Sequence, residues 1–218
     1  MKKGYIFDMD GTLVDSMKMI SLMDESIFEK LELPFTDEAA AVMRYIPLRE
    51  SARYIHRNFE TPYTEDEITE TLLDTMREGY KTVSLKSGAV EYLERVKAAG
   101  GRIVVATATE TDLAKWVLRQ QGLDGFVEDV VSCTDAGATK ESPDVFIEAA
   151  RRVGLTPEEC AVFEDGLPGA KSSRGAGFFV VGVYDEASRD VQEELKAVSH
   201  LYVKTPAELL SHNSSEIV

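Results

Sequence analysis

The sequence contains few cysteines and no apolar run long enough for a transmembrane helix. The two cysteines, Cys133 and Cys160, lack metal-ligand spacing, and both lie in apolar runs where a thiol behaves as a small core residue. We therefore expect no disulfide. The first residues, MKKGYIFDMDG, reach acidic residues before any signal-peptide apolar stretch can develop, so we expect a cytoplasmic protein that does not associate with a membrane.

The chain is also short of positive charge. Its 218 residues include 24 Lys and Arg against 39 Asp and Glu, a formal net charge of −15 at pH 7. This charge repels nucleic acid, and no local basic patch offsets it, so we expect no nucleic-acid partner. It also repels phosphorylated molecules, so a phosphate site would need a cation or focused basic side chains. The length suits one large domain or a domain with an insertion, and we expect a monomer.

Two acids stand out in the segment FDMDGTLVDS, residues 7–16. Asp8 and Asp10 follow a short apolar run that predicts a buried strand, and Gly11 interrupts the strand pattern directly after them. Side chains two apart on an extended chain point the same way, and ligands bind at the carboxyl ends of parallel strands. The alternative is a simple turn, in which Asp bonds the backbone and Gly adopts a positive φ.

Four helices are predicted in succession after this segment, with no strand between them. The first follows Ser16 and ends before Pro34, the second begins after Thr36, and Pro47 separates the second from the third at 48–59. The fourth, at 65–83, starts with a capping box formed by Thr64 and Glu67. A methionine-rich stripe on the first helix is more typical of core packing than of a cofactor site. We interpret residues 16–85 as an inserted four-helix cap, with its hinges near Asp15 and residues 86–88.

The remaining residues, 1–15 and 86–218, alternate between strands and helices. Nearly continuous apolar strands of this kind predict a parallel sheet covered on both faces, so the expected fold class is α/β, a doubly wound, Rossmann-like core carrying the cap. The polar tail HNSSEIV is expected to be disordered. The predicted strands after the cap are 103–107, 130–133, 161–165, 178–183 and 201–203, and the predicted helices include 89–99, 112–121, 144–153, a short one beginning at TPEE, the segment after Asp165 and PAELLS.

Polar residues follow four of the predicted strands, and the sheet would bring them to one edge. Three of the carboxylates, Asp8, Asp10 and Asp165, suit a hard cation such as Mg²⁺, which takes a few oxygen ligands, retained waters and a substrate phosphate. A hydroxyl, backbone N–H groups and an ammonium would hold phosphate oxygens. The residues are Asp8 and Asp10 after the first strand, Thr107 and Ala108 after the second, Lys140 after the third, and Glu164 and Asp165 after the fourth.

Each of these residues also has a simpler explanation. Thr107 could cap the next helix, Lys140 could be a surface loop residue, and the acidic pair could cap the helix that follows it. Their joint occurrence at one sheet edge is much less expected by chance than any one of them.

Taken in order, these motifs resemble the haloacid dehalogenase-like hydrolase superfamily, in particular its β-phosphoglucomutase-like phosphatase branch with a helical cap. The resemblance covers essentially the whole chain. The four motifs are matched by YIFDMDGT, by Thr107 in VVATATE, by Lys140 in KESPDVF, and by the acidic pair in FEDGLPGAKSSRGAG. Glu141 departs from the third motif, Lys-Pro-x-Pro-Asp, and places a negative charge beside a less rigid Lys140 loop.

The resemblance implies a two-step phosphoryl transfer. Asp8 would be the nucleophile that forms an aspartyl-phosphate, and Asp10 would be the general acid and base. Mg²⁺ would be held by the Asp8 side chain, the Asp10 backbone carbonyl and the Asp165 side chain, with Glu164 binding a metal-bound water. Lys140 would offset the charge of Asp8 and of the phosphate.

The same resemblance leaves three functions open. Arg49 in IPLRES matches the cap arginine of the sugar-phosphate mutases, but Ile20 stands where mutases carry a His, so we favour a phosphatase acting on a small phosphate monoester such as a sugar phosphate. Arg49 could also form only a surface salt bridge. A non-catalytic phosphate-binding module is the third possibility, against which the intact acids argue.

Overall fold

The computed structural model describes residues 2–43, 46 and 48–211. Its contacts divide the chain into two compact units, one formed by Met1–Asp15 with Ser84–Val218 and the other by Ser16–Val83. The helical unit ends at Val83, two residues before the end of the cap that the sequence suggested, at 85. Residues 84 and 85 instead belong to the first unit, because Leu85 forms an antiparallel bridge with Val14 and the Asp15 N–H donates to the Ser84 carbonyl at 2.9 Å.

The unit Ser16–Val83 is helical. Its helices are α1 (Met17–Lys30), α2 (Asp37–Met43), α3 (Leu48–Asn58) and α4 (Glu65–Tyr80). Met23 of the methionine stripe is buried with Ile27 and Phe28 in the core of this unit, so the stripe is core packing, as predicted. Ser16 precedes α1 without capping it through its side chain. The predicted break at Pro47 lies outside the described residues.

The fourth helix begins and ends for identifiable reasons. The Thr64 hydroxyl accepts from the Glu67 N–H at 3.3 Å, and the Glu67 carboxylate accepts from the Thr64 N–H at 2.8 Å, which is the predicted capping box. The helix ends at Tyr80, three residues before the predicted end at Val83, in a turn where the Thr82 N–H donates to the Gly79 carbonyl.

The other unit is built on a six-stranded parallel sheet in the order β3-β2-β1-β4-β5-β6. Every neighbouring pair of these strands is parallel, and the strands agree with the predicted ones within two residues. They are β1 (Gly4–Phe7), β2 (Arg102–Thr107), β3 (Asp129–Ser132), β4 (Cys160–Glu164), β5 (Phe179–Val183) and β6 (Leu201–Val203).

Two of this unit's helices differ from the sequence-based expectation. Cys133, predicted to end β3, instead begins the short helix α7, because the Ser132 hydroxyl accepts from the Asp135 N–H and starts a helical turn. Helix α10 was not predicted. The helices are α5 (Ala89–Ala98), α6 (Thr111–Gln120), α7 (Cys133–Ala136), α8 (Asp144–Arg152), α9 (Leu167–Gly175), α10 (Gln192–Val198) and α11 (Pro206–Ser211), with 3₁₀ turns at Pro157–Glu159 and Glu186–Val191.

Alternate residues of β1 show that helices cover both faces of the sheet. Phe7 packs on Phe163 and on Tyr92 of α5, with ring centroids 4.2 and 6.3 Å away. Ile6, which points the other way, lies in a core cluster with Phe146 of α8. The predicted doubly wound α/β core is therefore confirmed. The tail HNSSEIV lies outside the described residues.

Strand β1 occupies the centre of the sheet, between β2 and β4. Phe7 is in register with Val105 on one side and with Phe163 on the other. After β2 the chain continues to β3 on one side of β1, and after β4 it continues to β5 on the other side. The end of β1 is therefore a topological switch point, where α/β sheets bind ligands. The acids of the first motif therefore lie between the ends of the two strands that carry the second and fourth motifs. No helix in the described part of the chain is long and apolar enough to cross a membrane.

Candidate active site

Three buried carboxylates meet at this switch point. Asp8 follows β1, Glu164 ends β4 and Asp165 follows it, and a carboxylate oxygen from each lies within 4.8 Å of the other two. All three side chains are buried. Like charges this close repel one another strongly away from water, so the cluster requires a cation or shared protons.

Lys140 supplies one cation to the cluster. Its Nζ lies 2.5 Å from Asp8 Oδ1 and 2.8 Å from Glu164 Oε2, and the lysine side chain itself is largely buried. The Ser172 hydroxyl of α9 donates to the Lys140 carbonyl at 2.7 Å. The structure therefore places Lys140 beside Asp8, with Glu141 next to it in place of the proline of the related motif.

Burial and the neighbouring charges shift the pKa values of Asp8, Asp165 and Lys140. Burial raises the pKa of Asp8 to about 6, against the lowering effect of Lys140. Burial also raises the pKa of Asp165 well above its usual value, and the charges of Asp8 and Glu164 add to that rise. Burial by itself would lower the pKa of Lys140, but Asp8 and Glu164 outweigh it and raise that pKa. The Lys140 ammonium therefore stays charged, while the raised pKa values of Asp8 and Asp165 favour the protonated forms of these two aspartates in the absence of a further cation.

The loop after β1 packs closely against Asp165. Gly11 has a φ of +82°, and a Cβ at this position would overlap the Asp165 carboxylate. The Thr12 hydroxyl donates to Asp165 Oδ1 at 3.2 Å. Glycine is therefore required at position 11 both by its backbone conformation and by the approach of the carboxylate.

Glu164 is held differently from the two aspartates. Its Oε1 accepts from the Gly166 N–H at 3.0 Å, and its Oε2 accepts from Lys140. A Cβ on Gly169 would lie 2.7 Å from Glu164 Oε2, so the glycine leaves the space that the side chain occupies. Both carboxylate oxygens are engaged by protein donors, so Glu164 is less suited than the aspartates to bind a metal directly.

The other predicted residues lie at the ends of β1 and β2. Thr107 is buried at the end of β2, where its hydroxyl accepts from the Thr109 N–H at 3.0 Å, and Ala108 follows on the surface. Asp10 Oδ2 accepts from the Thr109 hydroxyl at 2.8 Å. The Asp10 side chain is not among the three clustered carboxylates, and its predicted roles in proton transfer and metal binding stay predictions.

Arg49 belongs to the other compact unit. It lies in the first turn of α3, on an exposed part of the helix. The structure thus brings together the motif residues of the α/β unit and places Arg49 on the helical one.

Sequence reasoning missed three hydroxyls that contact the site residues. Thr12 donates to Asp165, Thr109 donates to Asp10, and Ser172 donates to Lys140. Thr12 and Thr109 each stand two residues beyond a predicted site residue, which is a usable signal. Ser172 carries no such signal, because it lies within α9 and not next to any predicted site residue in the sequence.

The donor set fits a divalent metal such as Mg²⁺. Mg²⁺ prefers carboxylate, carbonyl and water oxygens, and Asp8 and Asp165 are carboxylates whose pKa values are raised chiefly by burial, so a second cation would stabilise their ionised forms. The fit rests on this acidic, all-oxygen cluster. Neither cysteine belongs to it: Cys160 is a buried free thiol, and Cys133 is a half-buried one.

The sequence matches a family model described as haloacid dehalogenase-like hydrolase, over residues 2–177. The chain belongs to this family. The match covers most of the chain and all four motifs, so the resemblance inferred from the motifs is confirmed, and so is the expectation of an enzyme of the hydrolase class.

Members of this family with known names are similar to the chain. The β-phosphoglucomutase of Bacillus subtilis is 28% identical over 189 residues, 83% of each chain. The fructose-1-phosphate phosphatase YqaB of Escherichia coli is 27% identical over 83% of this chain and 95% of its own length. The structure of CbbY from Rhodobacter sphaeroides in complex with phosphate has a TM-score of 0.78 at 22% identity, over 96% of both chains, which shows a shared fold.

Proposed function

We propose that the protein is a Mg²⁺-dependent phosphatase that hydrolyses a small phosphate monoester, of the sugar-phosphate class, through an aspartyl-phosphate intermediate. The observation that carries the proposal is the Asp8 carboxylate, buried between Lys140 and the acidic pair at the switch point of the sheet. Phosphatase names among the relatives, including a fructose-1-phosphate phosphatase, support the substrate class.

In the first step, an Asp8 oxygen attacks phosphorus. The bond between phosphorus and the ester oxygen breaks as the new bond forms, and Asp10 gives its proton to the departing alcohol. In the second step, Asp10 takes a proton from water as the water oxygen attacks the phosphorus of the aspartyl-phosphate. Inorganic phosphate leaves and Asp8 returns to its carboxylate form.

Three residues would bind the transferred phosphoryl group. The Lys140 ammonium lies against Asp8 and would contact a phosphate oxygen there while balancing charge. The Thr107 hydroxyl and the Ala108 N–H, at the end of β2, would donate to the other oxygens. These contacts counter the repulsion between a phosphorylated metabolite and a chain of net charge −15.

Mg²⁺ would be held by the side chains of Asp8 and Asp165 and by the Asp10 backbone carbonyl. When bound, it neutralises charge on the nucleophile and on the phosphate oxygens. Glu164, engaged by Lys140 and Gly166, would bind a water of the metal.

The helical residues 16–85 would act as the cap of the α/β core formed by 1–15 and 86–218. A cap excludes water from the site during the first step and selects the substrate. Arg49, exposed on α3, would bind a polar or anionic part of the substrate. We propose that the protein acts as a cytoplasmic monomer.

A sugar-phosphate mutase of the β-phosphoglucomutase type is the second candidate. It is favoured by the B. subtilis relative and by Arg49, which would serve as the second phosphate site that a mutase needs. Ile20, in place of the mutase His, favours the hydrolase. A mutase would convert β-glucose 1-phosphate into glucose 6-phosphate, whereas a phosphatase would release free phosphate.

The test is a panel of sugar phosphates and other small phosphate esters, assayed with Mg²⁺ and with EDTA, for both free phosphate and isomerised sugar phosphate. We expect Mg²⁺-dependent phosphate release that Asp8→Asn abolishes. Asp112→Asn, which changes an exposed acid on α6, is the matched control and should retain activity. Glucose 6-phosphate formed at turnover rates would overturn the hydrolase, and no turnover of any ester would favour a non-catalytic phosphate-binding module.

A further inference from the structure

Thr109 contacts Asp10, the proposed acid and base of the reaction. Its hydroxyl donates to Asp10 Oδ2 at 2.8 Å, although the two residues are 99 positions apart in the sequence. Asp10 follows β1 and Thr109 follows β2, so the contact crosses between the ends of two adjacent strands. Both residues belong to the same compact unit.

The segment that carries Thr109 is fixed on both sides. Before it, the Thr109 N–H donates to the Thr107 hydroxyl at 3.0 Å, which forms a tight turn directly after β2. After it, Glu110 accepts from the Thr134 hydroxyl at 3.0 Å and the Thr111 hydroxyl donates to Asp135 at 2.6 Å.

These last two bonds tie the segment to α7, which is itself started by the Ser132 capping box. The Thr109 hydroxyl therefore lies on a segment that hydrogen bonds hold on both sides of it.

Asp10 needs such support, because it lies in a tight turn rather than in a strand. It is the residue before Gly11, whose φ is +82° and whose N–H donates to the Val14 carbonyl at 2.8 Å. A proton-transferring carboxyl must lie within about 2.6 to 3.2 Å of the oxygen it serves, and misplacement by about 1 Å costs roughly 100-fold in rate. A bond from a fixed hydroxyl restricts the χ angles of the acid.

We propose that Thr109 is a positioning residue for Asp10, holding the carboxyl through Oδ2 in the orientation that protonates the departing alcohol. This inference rests on the proposed phosphatase function. Its consequence depends on the leaving group. An alkyl alcohol leaves poorly without a proton, whereas nitrophenolate leaves readily as an anion, so a misplaced Asp10 slows hydrolysis of the first kind of ester much more than the second.

The experiment compares Thr109→Val, which removes the donor at nearly constant volume, with Thr109→Ser, which keeps it. Each variant is assayed with the sugar phosphate of the panel that the wild type hydrolyses fastest, an alkyl ester, and with p-nitrophenyl phosphate, an aryl ester. The quantity measured is kcat/KM, because it reports the steps up to formation of the aspartyl-phosphate. We expect Thr109→Val to lose roughly 10- to 100-fold with the alkyl ester and less than about 3-fold with the aryl ester. Thr109→Ser should retain activity near wild type with both.

A double-mutant cycle with Asp10→Asn separates positioning from a structural effect. In the Asp10→Asn background, Thr109→Val should cause no further loss with the alkyl ester. Equal losses with both esters, or the same loss in the presence and absence of Asp10, would overturn the inference. Thermal unfolding identifies misfolded protein, and Thr109→Ala takes the place of Thr109→Val if that variant does not fold. A wild-type enzyme inert toward every ester of the panel and toward p-nitrophenyl phosphate would overturn the proposed phosphatase, and the role of Thr109 with it.

Discussion

The Lys140 ammonium lies 2.5 Å from Asp8 Oδ1 and also reaches Glu164, so one buried cation bridges acids from two adjacent strands. In the proposed mechanism, the same ion pairs that stabilise the fold also hold the nucleophile. Removing the cation leaves buried carboxylates unpaired, which is far more costly than removing a surface pair.

Lys140→Met should therefore destabilise the metal-free protein by about 3 to 5 kcal/mol, as expected for a broken buried ion pair, and should abolish phosphate release. Urea unfolding in EDTA measures the loss. Lys171→Met is the control, because Lys171 pairs with Glu194 at an exposed site and its loss should change little. Equal effects of the two substitutions would contradict the buried bridge.

Mg²⁺ binding should compete with protons. The pKa of Asp8 is raised to about 6 in the folded, metal-free protein, so folding favours the protonated acid. The stability that this proton contributes is present at low pH and is lost as the pH rises through about 6. Mg²⁺ replaces the proton, so the rise in Tm on adding Mg²⁺ should be larger at pH 7.5 than at pH 5.

Asp165→Asn provides the control for this competition. The variant removes one of the crowded charges, so we expect it to be more stable than the wild type in EDTA at pH 7.5 and to gain little from Mg²⁺. A Mg²⁺-induced shift of the same size at both pH values, or an undiminished shift in the variant, would show that the metal binds elsewhere.

Gly11→Ala tests the close approach to Asp165. Gly11 and Gly100 have nearly the same φ, +82° and +78°, but a Cβ on Gly11 would overlap the Asp165 carboxylate, whereas one on Gly100 meets nothing within 4 Å. Gly100→Ala should cost only the backbone strain, about 1 to 2 kcal/mol, with activity retained. Gly11→Ala should in addition weaken Mg²⁺-dependent activity at least 10-fold, measured as kcat at saturating Mg²⁺, and similar kinetics for the two variants would contradict the clash.

Ser172→Ala tests how the Lys140 loop is held. Its hydroxyl donates to the Lys140 carbonyl, so its loss should release the loop, lower kcat/KM about 3- to 10-fold and cost about 1 kcal/mol of stability. Ser173→Ala is the matched control, because the hydrogen bonds of the Ser173 hydroxyl within the described residues go to carbonyls of its own helix, Gly169 and Ala170. We expect the control to lose stability of the same order while kcat/KM stays near wild type. The reverse pattern would show that Ser172 is merely structural.

Two kinds of local signal in the sequence predicted the parallel sheet and the candidate site residues. Apolar runs such as residues 103–107 predicted strands, and acids directly after such runs made Asp8 and Asp165 candidates, which the structure brings into one cluster. The predictions failed where a tertiary contact or a competing local bond decided the structure. Cys133 extends an apolar run and was assigned to β3, but the side chain of Ser132 starts a helix there instead.

The sequence by itself determined which chemistry the chain carries, because residue type and position relative to a strand end are local properties. Only the tertiary structure decided which groups meet. The strand order places β1 between β2 and β4, and this order brings Lys140 to Asp8 and Thr109 to Asp10. These two contacts join residues that are 132 and 99 positions apart, and no local pattern encodes them, because they depend on how the strands pair and on which face each helix crosses.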